Sequence, residues 1–317
     1  MKRILLLALA ACLAWAPISA LAADAKKMDE MRIVFTPYDF LLDFMVAMDQ
    51  GFFTKAGLKV NPVTVQGGSS NIISTLNRGE VDGCFLASSS ALVARSRGID
   101  LVQVAGIGVQ EFDFYAKAGS PVKNLKDLDG KKIATFPKPT GPWLAIQHDI
   151  DKSGIKPQLI YMKSYNVMLS SVLNGQIDAA TFNPYVIAKI PGQLKKVHTS
   201  TISKYLYNSC GWWAKESFIK AHPKAVEKFV KGLTMAREFI RDHKLAAVKI
   251  LAKYTKLDLK QLKGDLKLPR FDLPVTIYEY GLEKTNDILM RYKLMDKKLD
   301  VTKMVEPRFV KVIKEPY

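Results

Sequence analysis

Residues 76–85 read LNRGEVDGCF, and residues 173–182 read LNGQIDAATF. Both run Leu-Asn, Gly, Glu or Gln, a β-branched residue, Asp and a small residue, with Arg78 as the one extra letter. In each copy a helical pattern stops at a glycine, Gly79 or Gly175, which can turn left-handed without a Cβ penalty. A continuous apolar run follows, the mark of a strand buried on both faces. Asp82 and Asp178 stand at the strand entrances, where an aspartate shapes a turn, so a scaffold role is expected for both. The phrase reads as one helix–turn–strand unit written twice, once in each of two α/β lobes.

The surrounding chain fits that reading. Strand-like runs at 32–40 (RIVFTPYDF), 58–67 (LKVNPVTVQG), 81–88 (VDGCFLAS) and 101–109 (LVQVAGIGV) alternate with helical patterns at 41–53, 69–79 and 90–98. Ser69, Ser70 or Asn71 is expected to cap the second of these helices. This βαβαβαβ order predicts a mostly parallel sheet with helices on both sides. A second, smaller unit follows: strands at 131–136, 158–162 and 177–182, with helices at 140–154 and 166–175. Pro142 sits near the start of the first of those helices, where its missing N–H costs nothing. A strand-like run at 207–218 then leads into a strongly periodic helical region at 222–254, and the C-terminus is expected to stay helical, with breaks at Pro269, Pro274 and Pro307.

The N-terminus reads as a separate segment. Lys2 and Arg3 precede the apolar run ILLLALAACLAWAPI, and ALAA at 20–23 offers an A-x-A cleavage signal after Ala22. A secretory signal peptide over 1–22 is expected. LAAC at 9–12 resembles a lipoprotein box, but cleavage there leaves an apolar mature start, so anchoring at Cys12 is disfavoured. After export Cys84 and Cys210 remain; a disulfide between them and two buried free thiols are both open. The net charge of +17 comes from lysines scattered among acids, with no basic block interleaved with aromatics, so a solvated basic surface is expected and no nucleic acid partner.

The stretch from Asp49 to Ala105 resembles the periplasmic solute-binding proteins of ABC importers in the nitrate/sulfonate/taurine and NMT1/THI5-like group. GFFTKAGLKV at 51–60, NLKDLDGKKIA at 124–134, LNGQIDAATFNP at 173–184 and KESFIKAHPKAVEKFVK at 215–231 are similar to that group's landmarks, in the right order. The resemblance covers roughly Arg32 to Lys314. It implies a periplasmic-binding-protein fold of type II: an α/β protein of two lobes, a hinge and an interlobe ligand cleft. Lobe 1 is expected over 23–115 and 207–317, and lobe 2 over 116–206. The chain would cross between them near FDFYAKAG (112–119) and YLYNSCGWW (205–213). It further implies a periplasmic receptor, a monomer, that closes on a small molecule and delivers it to an inner-membrane permease.

In open α/β sheets ligands bind beyond the carboxyl ends of the strands. That rule nominates Tyr38, Asp39, Phe40 and Phe44 after the first strand, Ser69 and Ser70 after the second, Ser88 and Ser89 after the third, and Glu111 and Phe112 after the fourth. From lobe 2 it nominates Thr140, Trp143, Asn183 and Tyr185, and near the second crossing Trp212. Ser88 and Ser89 match a serine pair of the resembled family. Serines here also cap helices, and of Trp212 and Trp213, alternating along a strand, at most one faces the cleft. These loops hold aromatics and the carboxylates Asp39, Asp43, Glu111 and Asp113, but no arginine and only Lys138 as a lysine. Oxyanion recognition usually draws on arginine or on several backbone N–H groups. The set fits an aromatic or heterocyclic ligand, such as a thiamine-precursor pyrimidine, or an amine. A small sulfonate or oxyanion held by Ser69, Ser70 and helix N-terminal amides, or an aromatic acid, is the alternative.

An enzyme is disfavoured. The resembled group includes a yeast pyrimidine synthase that consumes its own histidine and uses a cysteine-rich iron segment. Here His148, His198, His222 and His243 stand isolated, and the chain has no cysteine cluster, HExxH, GxSxG or phosphate-binding glycine loop. No cofactor and no metal are expected.

Overall fold

The computed structural model describes residues 28–65, 68–107, 112–182, 186, 187, 189–204, 210–259, 271 and 273–315. The expected signal peptide, its cleavage point and Cys12 lie outside the described residues, as do Glu111, Asn183 and Tyr185.

Two five-stranded sheets carry the fold. The first contains β1 (Asp29–Val34), β2 (Leu58–Val63), β3 (Gly83–Ala87), β4 (Leu101–Gly106) and β10 (Cys210–Lys215), in the order β2-β1-β3-β10-β4. The second contains β5 (Asp113–Lys117), β6 (Lys132–Thr135), β7 (Gln158–Tyr161), β8 (Ala179–Phe182) and β9 (Leu194–Thr199), in the order β7-β6-β8-β5-β9. Each is a parallel sheet with one antiparallel strand inserted fourth, β10 in one and β5 in the other. The chain leaves the first sheet after Gly106 and joins the second at Asp113; it leaves the second after Thr199 and rejoins the first at Cys210. The expected lobe limit at 115/116 therefore falls inside β5.

The repeated phrase performs the same job twice. Helix α3 (Ser69–Asn77) and helix α6 (Tyr165–Leu173) each run into a glycine with positive φ, Gly79 at 74° and Gly175 at 73°. Asp82 then accepts the Arg32 amide N–H at 2.7 Å while its own N–H donates to the Arg32 carbonyl at 2.8 Å. Asp178 repeats this with Lys132, accepting at 2.8 Å and donating at 3.0 Å. Each aspartate thus fixes the register of the neighbouring parallel strand: Ile33 falls opposite Gly83, and Ile133 opposite Ala179. Gly68 is the N-cap of α3, not a serine or asparagine, and no side chain caps that helix.

Helix α1 (Leu42–Asp49), helix α8 (Pro223–Asp242) and helix α9 (Lys244–Thr255) cover one face of the first sheet over a core of Phe44, Phe53, Trp212 and Phe229. Helix α4 (Ser88–Ser96) and helix α10 (Glu279–Arg291) cover the other. The apolar cluster on that second face continues without a break into lobe 2, through Phe112, Phe114 and helix α5 (Gly141–Ser153). Of the remaining helices, α2 (Phe52–Lys55) and α7 (Glu216–Ala221) are short connectors. The C-terminal region is not helical throughout. Strand β11 (Thr276–Tyr278) pairs in parallel with β12 (Lys311–Ile313), and residues Val301–Met304 form a 3-10 turn. Among the described residues, no helix is long and apolar enough to cross a membrane.

Cys84 and Cys210 are both buried free thiols. Across the β3/β10 pair Cys84 falls opposite Trp213 and Cys210 opposite Ala87, so the two lie three rungs apart on the ladder. That is about 10 Å along the strand, beyond the reach of a disulfide.

Candidate functional site

The carboxyl edge of each sheet gathers the groups that could hold a ligand. In lobe 1, β1 opens into Phe35–Tyr38 and a 3-10 turn at Asp39–Leu41, while β3 runs directly into α4. Tyr38 stacks on Phe40 with ring centres 5.2 Å apart, and Phe40 lies 5.2 Å from Phe85. All three rings are half-buried, which leaves part of an aromatic shelf uncovered.

Asp39 is the residue between Tyr38 and Phe40 in the chain. Its side chain is buried and its Oδ1 has no hydrogen-bond partner. Burial pushes its carboxyl up to about 6, against the pull of the Phe40 and Asp39 backbone amides. Burial likewise raises the Tyr38 hydroxyl. A buried acceptor without a donor is costly, so such a group marks a place where a partner is missing.

Ser88, Ser89 and Ser90 open α4 and are almost fully buried. The hydroxyls of Ser89 and Ser90 have no hydrogen-bond partner. The start of this nine-residue helix directs backbone N–H groups and a partial positive charge toward the same edge.

In lobe 2, β6 ends at Thr135, whose buried hydroxyl is also unpartnered. Phe136 follows, meeting Tyr165 edge to face at 4.8 Å, and Tyr165 lies 6.3 Å from Phe182. Phe136 and Tyr165 are half-buried. Thr140, also half-buried, donates its hydroxyl to the Pro137 carbonyl at 2.8 Å just before α5. Gly141 begins that helix beneath the ring of Phe112; a Cβ at this position would lie 2.8 Å from the ring's tip. Phe112 is buried there, at the first crossing between lobes.

Four nominated aromatics are core residues, Phe112 among them. Phe44 has no exposure and packs among Phe35, Phe53, Trp212 and Phe229. Trp212 joins that same core, while Trp213 points into the opposite one and donates to the Leu86 carbonyl at 3.3 Å. Neither tryptophan lines the edge. Trp143 is wholly buried on α5 against Tyr292. Their size and apolar surface reward burial more than display. Ser69 is half-buried and Ser70 exposed at the start of α3.

Two other carboxylates are already engaged. Asp43 pairs with Arg237 in the interior. Asp113 accepts the Thr199 hydroxyl at 2.6 Å and the Tyr115 hydroxyl and Lys196 ammonium at 3.4 Å each, tying β5 to β9. Sequence reasoning missed Phe85, Ser90, Phe136 and Tyr165. Phe136 was reachable by the same rule that gave Tyr38, since it is the residue that follows a strand. Among the described residues no group of His, Cys, Asp and Glu is placed to hold a metal ion.

Similar proteins share this frame. A protein of Bacillus subtilis (strain 168) named "Putative aliphatic sulfonates-binding protein" is 24% identical over 97% of this chain and 95% of its own length. The yeast 4-amino-5-hydroxymethyl-2-methylpyrimidine phosphate synthase THI13 (Saccharomyces cerevisiae) is 24% identical over 74% of this chain and 72% of its own. The solved alkanesulfonate-binding protein SsuA from Xanthomonas axonopodis pv. citri, bound to MOPS, superposes with a TM-score of 0.72 at 18% identity, covering 87% of this chain and 98% of that one. The fold is therefore that of the periplasmic binding proteins, with two lobes of type II. The NMT1/THI5 like family model matches residues 41–247, and the chain belongs to that family.

Proposed function

We propose that this protein is the receptor component of an ABC import system, a monomer in the periplasm that captures a small organic molecule between its lobes and delivers it to a membrane permease. The observation that carries the ligand reading is the Tyr38–Phe40–Phe85 shelf together with the buried carboxyl of Asp39, the residue between Tyr38 and Phe40 in the chain, whose Oδ1 has no hydrogen-bond partner. Rings of this kind stack on a planar solute, and a carboxylate held away from water pairs with a ring N–H or an ammonium. Phe136 and Tyr165 offer a second aromatic surface in the other lobe. The ligand class that fits is an aromatic heterocycle, of the aminopyrimidine kind, or an aromatic amine.

A second reading rests on a separate observation. The unpartnered Ser89 and Ser90 hydroxyls at the start of α4 suit a sulfonate or another small oxyanion, the ligand class named for two of the similar proteins. A thermal-shift screen of the mature chain separates the two. Aminopyrimidines and aromatic amines should raise the melting temperature by about 5 °C at a hundredfold excess over the dissociation constant, and alkanesulfonates should not. The reverse pattern would favour the oxyanion reading, and no shift from any compound would count against both.

A further inference from the structure

Helix α5 belongs to lobe 2 and helix α10 to lobe 1, and a groove of about 270 Å³ separates them, lined by His148, Asp151, Lys152, Ile288, Arg291 and Tyr292. Tyr292 spans it. Tyr292, which caps the end of α10, sets its ring edge to face against Trp143 with centres 5.2 Å apart. Its hydroxyl donates to Oδ2 of Asp151, two turns further along α5. Gln147 holds the other carboxylate oxygen of Asp151 at 3.0 Å, which fixes the acceptor in place.

The position of this contact gives it leverage. Among the described residues the chain passes between the two sheets after Gly106 and after Thr199, and one apolar cluster runs across the same face, so a rotation about those crossings must slide or break the Tyr292 contacts. The same helix reaches the ligand edge at its other end, where Thr140 is its N-cap and Gly141 sits under Phe112. Its far side is tied to the second crossing: Asp149 lies 3.0 Å from His198 and 3.4 Å from the Thr201 amide and hydroxyl. Helix α5 therefore connects the cleft, the hinge and Tyr292 as one rigid lever.

We propose that Tyr292 is an interlobe latch that holds lobe 2 against lobe 1 and sets how far the cleft stands open before any ligand arrives. A phenol donating to a carboxylate is a charge-assisted bond, and one such bond shifts a two-state equilibrium by about tenfold. The latch lies outside the ligand edge, so it tunes apparent affinity for whatever the cleft takes without touching it.

Small-angle scattering of the ligand-free protein tests this. Tyr292→Ala and Asp151→Ala should each give a larger radius of gyration than the wild type, and Tyr292→Phe, which keeps the ring, a smaller rise. Tyr161→Ala, on the exposed surface of lobe 2, should scatter as the wild type does. Tyr292→Phe and Asp151→Asn change the fewest atoms and keep the test available should an alanine variant fail to fold. Scattering from folded Tyr292 and Asp151 variants that superposes on the wild type would overturn the latch. No ligand is needed, so the outcome is independent of the transport reading.

Discussion

The carboxylate of Asp43 lies 2.9 Å from the guanidinium of Arg237, and neither side chain has any exposure. Arg237 also donates to the Gly106 carbonyl at 2.6 Å, at the last residue of β4 before the chain crosses to lobe 2, and stacks 5.2 Å from Phe271. The pair therefore ties α1 and α8 to the hinge. Removing one partner strands the other charge in the core. Arg237→Ala should lower unfolding stability by about 3–5 kcal/mol, read as a drop in the denaturant midpoint. Replacing both residues with leucine should recover much of that loss. A single alanine variant as stable as the wild type would show that the pair does not organise this core.

The two copies of the repeated phrase make a paired prediction. Asp82→Ala and Asp178→Ala each remove an acceptor for a strand amide at a partly exposed site, and each should cost about 1 kcal/mol. Ligand binding should be unchanged in both. Loss of binding without loss of stability would return these aspartates to the functional set.

Asp39 gives stability a pH dependence with a definite sign. Its carboxyl is raised from 3.8 to about 6 by burial, so the folded chain keeps a proton that the unfolded chain releases. The contribution is fully present below about pH 4, is lost as pH rises through 6, and leaves the protein weaker above by about 3 kcal/mol. Asp39→Asn should be more stable than the wild type at pH 8 and equal to it at pH 4, in parallel chemical denaturations. Equal gaps at both pH values would contradict this.

The chemistry of the aromatic shelf is tested by substitution. Phe40→Ala removes the middle ring of the Tyr38–Phe40–Phe85 set and should weaken binding of an aromatic ligand by about tenfold, by calorimetry. Trp143→Ala should destabilise the protein by about 3–5 kcal/mol, as a core truncation does. An effect of Phe40→Ala on stability alone would place the shelf in the core.

Much of the fold was legible because its signals are local. Gly79 and Gly175 act through one backbone angle each, and Asp82 and Asp178 through one neighbouring strand. The insertion of β10 between β3 and β4 pairs residues more than a hundred positions apart, and nothing near Cys210 announces it. The short β11/β12 pair is equally silent, since three residues carry too little periodicity to be seen. At the candidate site, the strand-end rule nominated Tyr38, Asp39 and Phe40, which the structure places together at the carboxyl edge of the first sheet. Phe44, Trp143 and Trp212 were misplaced because a large ring near a strand end reads the same whether it lines a cleft or fills a core. Arg237 sits far along α8, and only packing brings it to Asp43.

The most direct measurement of the central claim is calorimetric titration of the wild type and Asp39→Asn with an aminopyrimidine or aromatic amine at pH 5 and pH 8, in two buffers of different ionisation enthalpy. A cationic or N–H-donating ligand pairs with the ionised carboxylate. Wild-type binding should tighten as pH rises through 6, with proton release near that pH, and Asp39→Asn should bind weakly at both. Binding of equal strength at both pH values, unchanged by Asp39→Asn, would contradict the account.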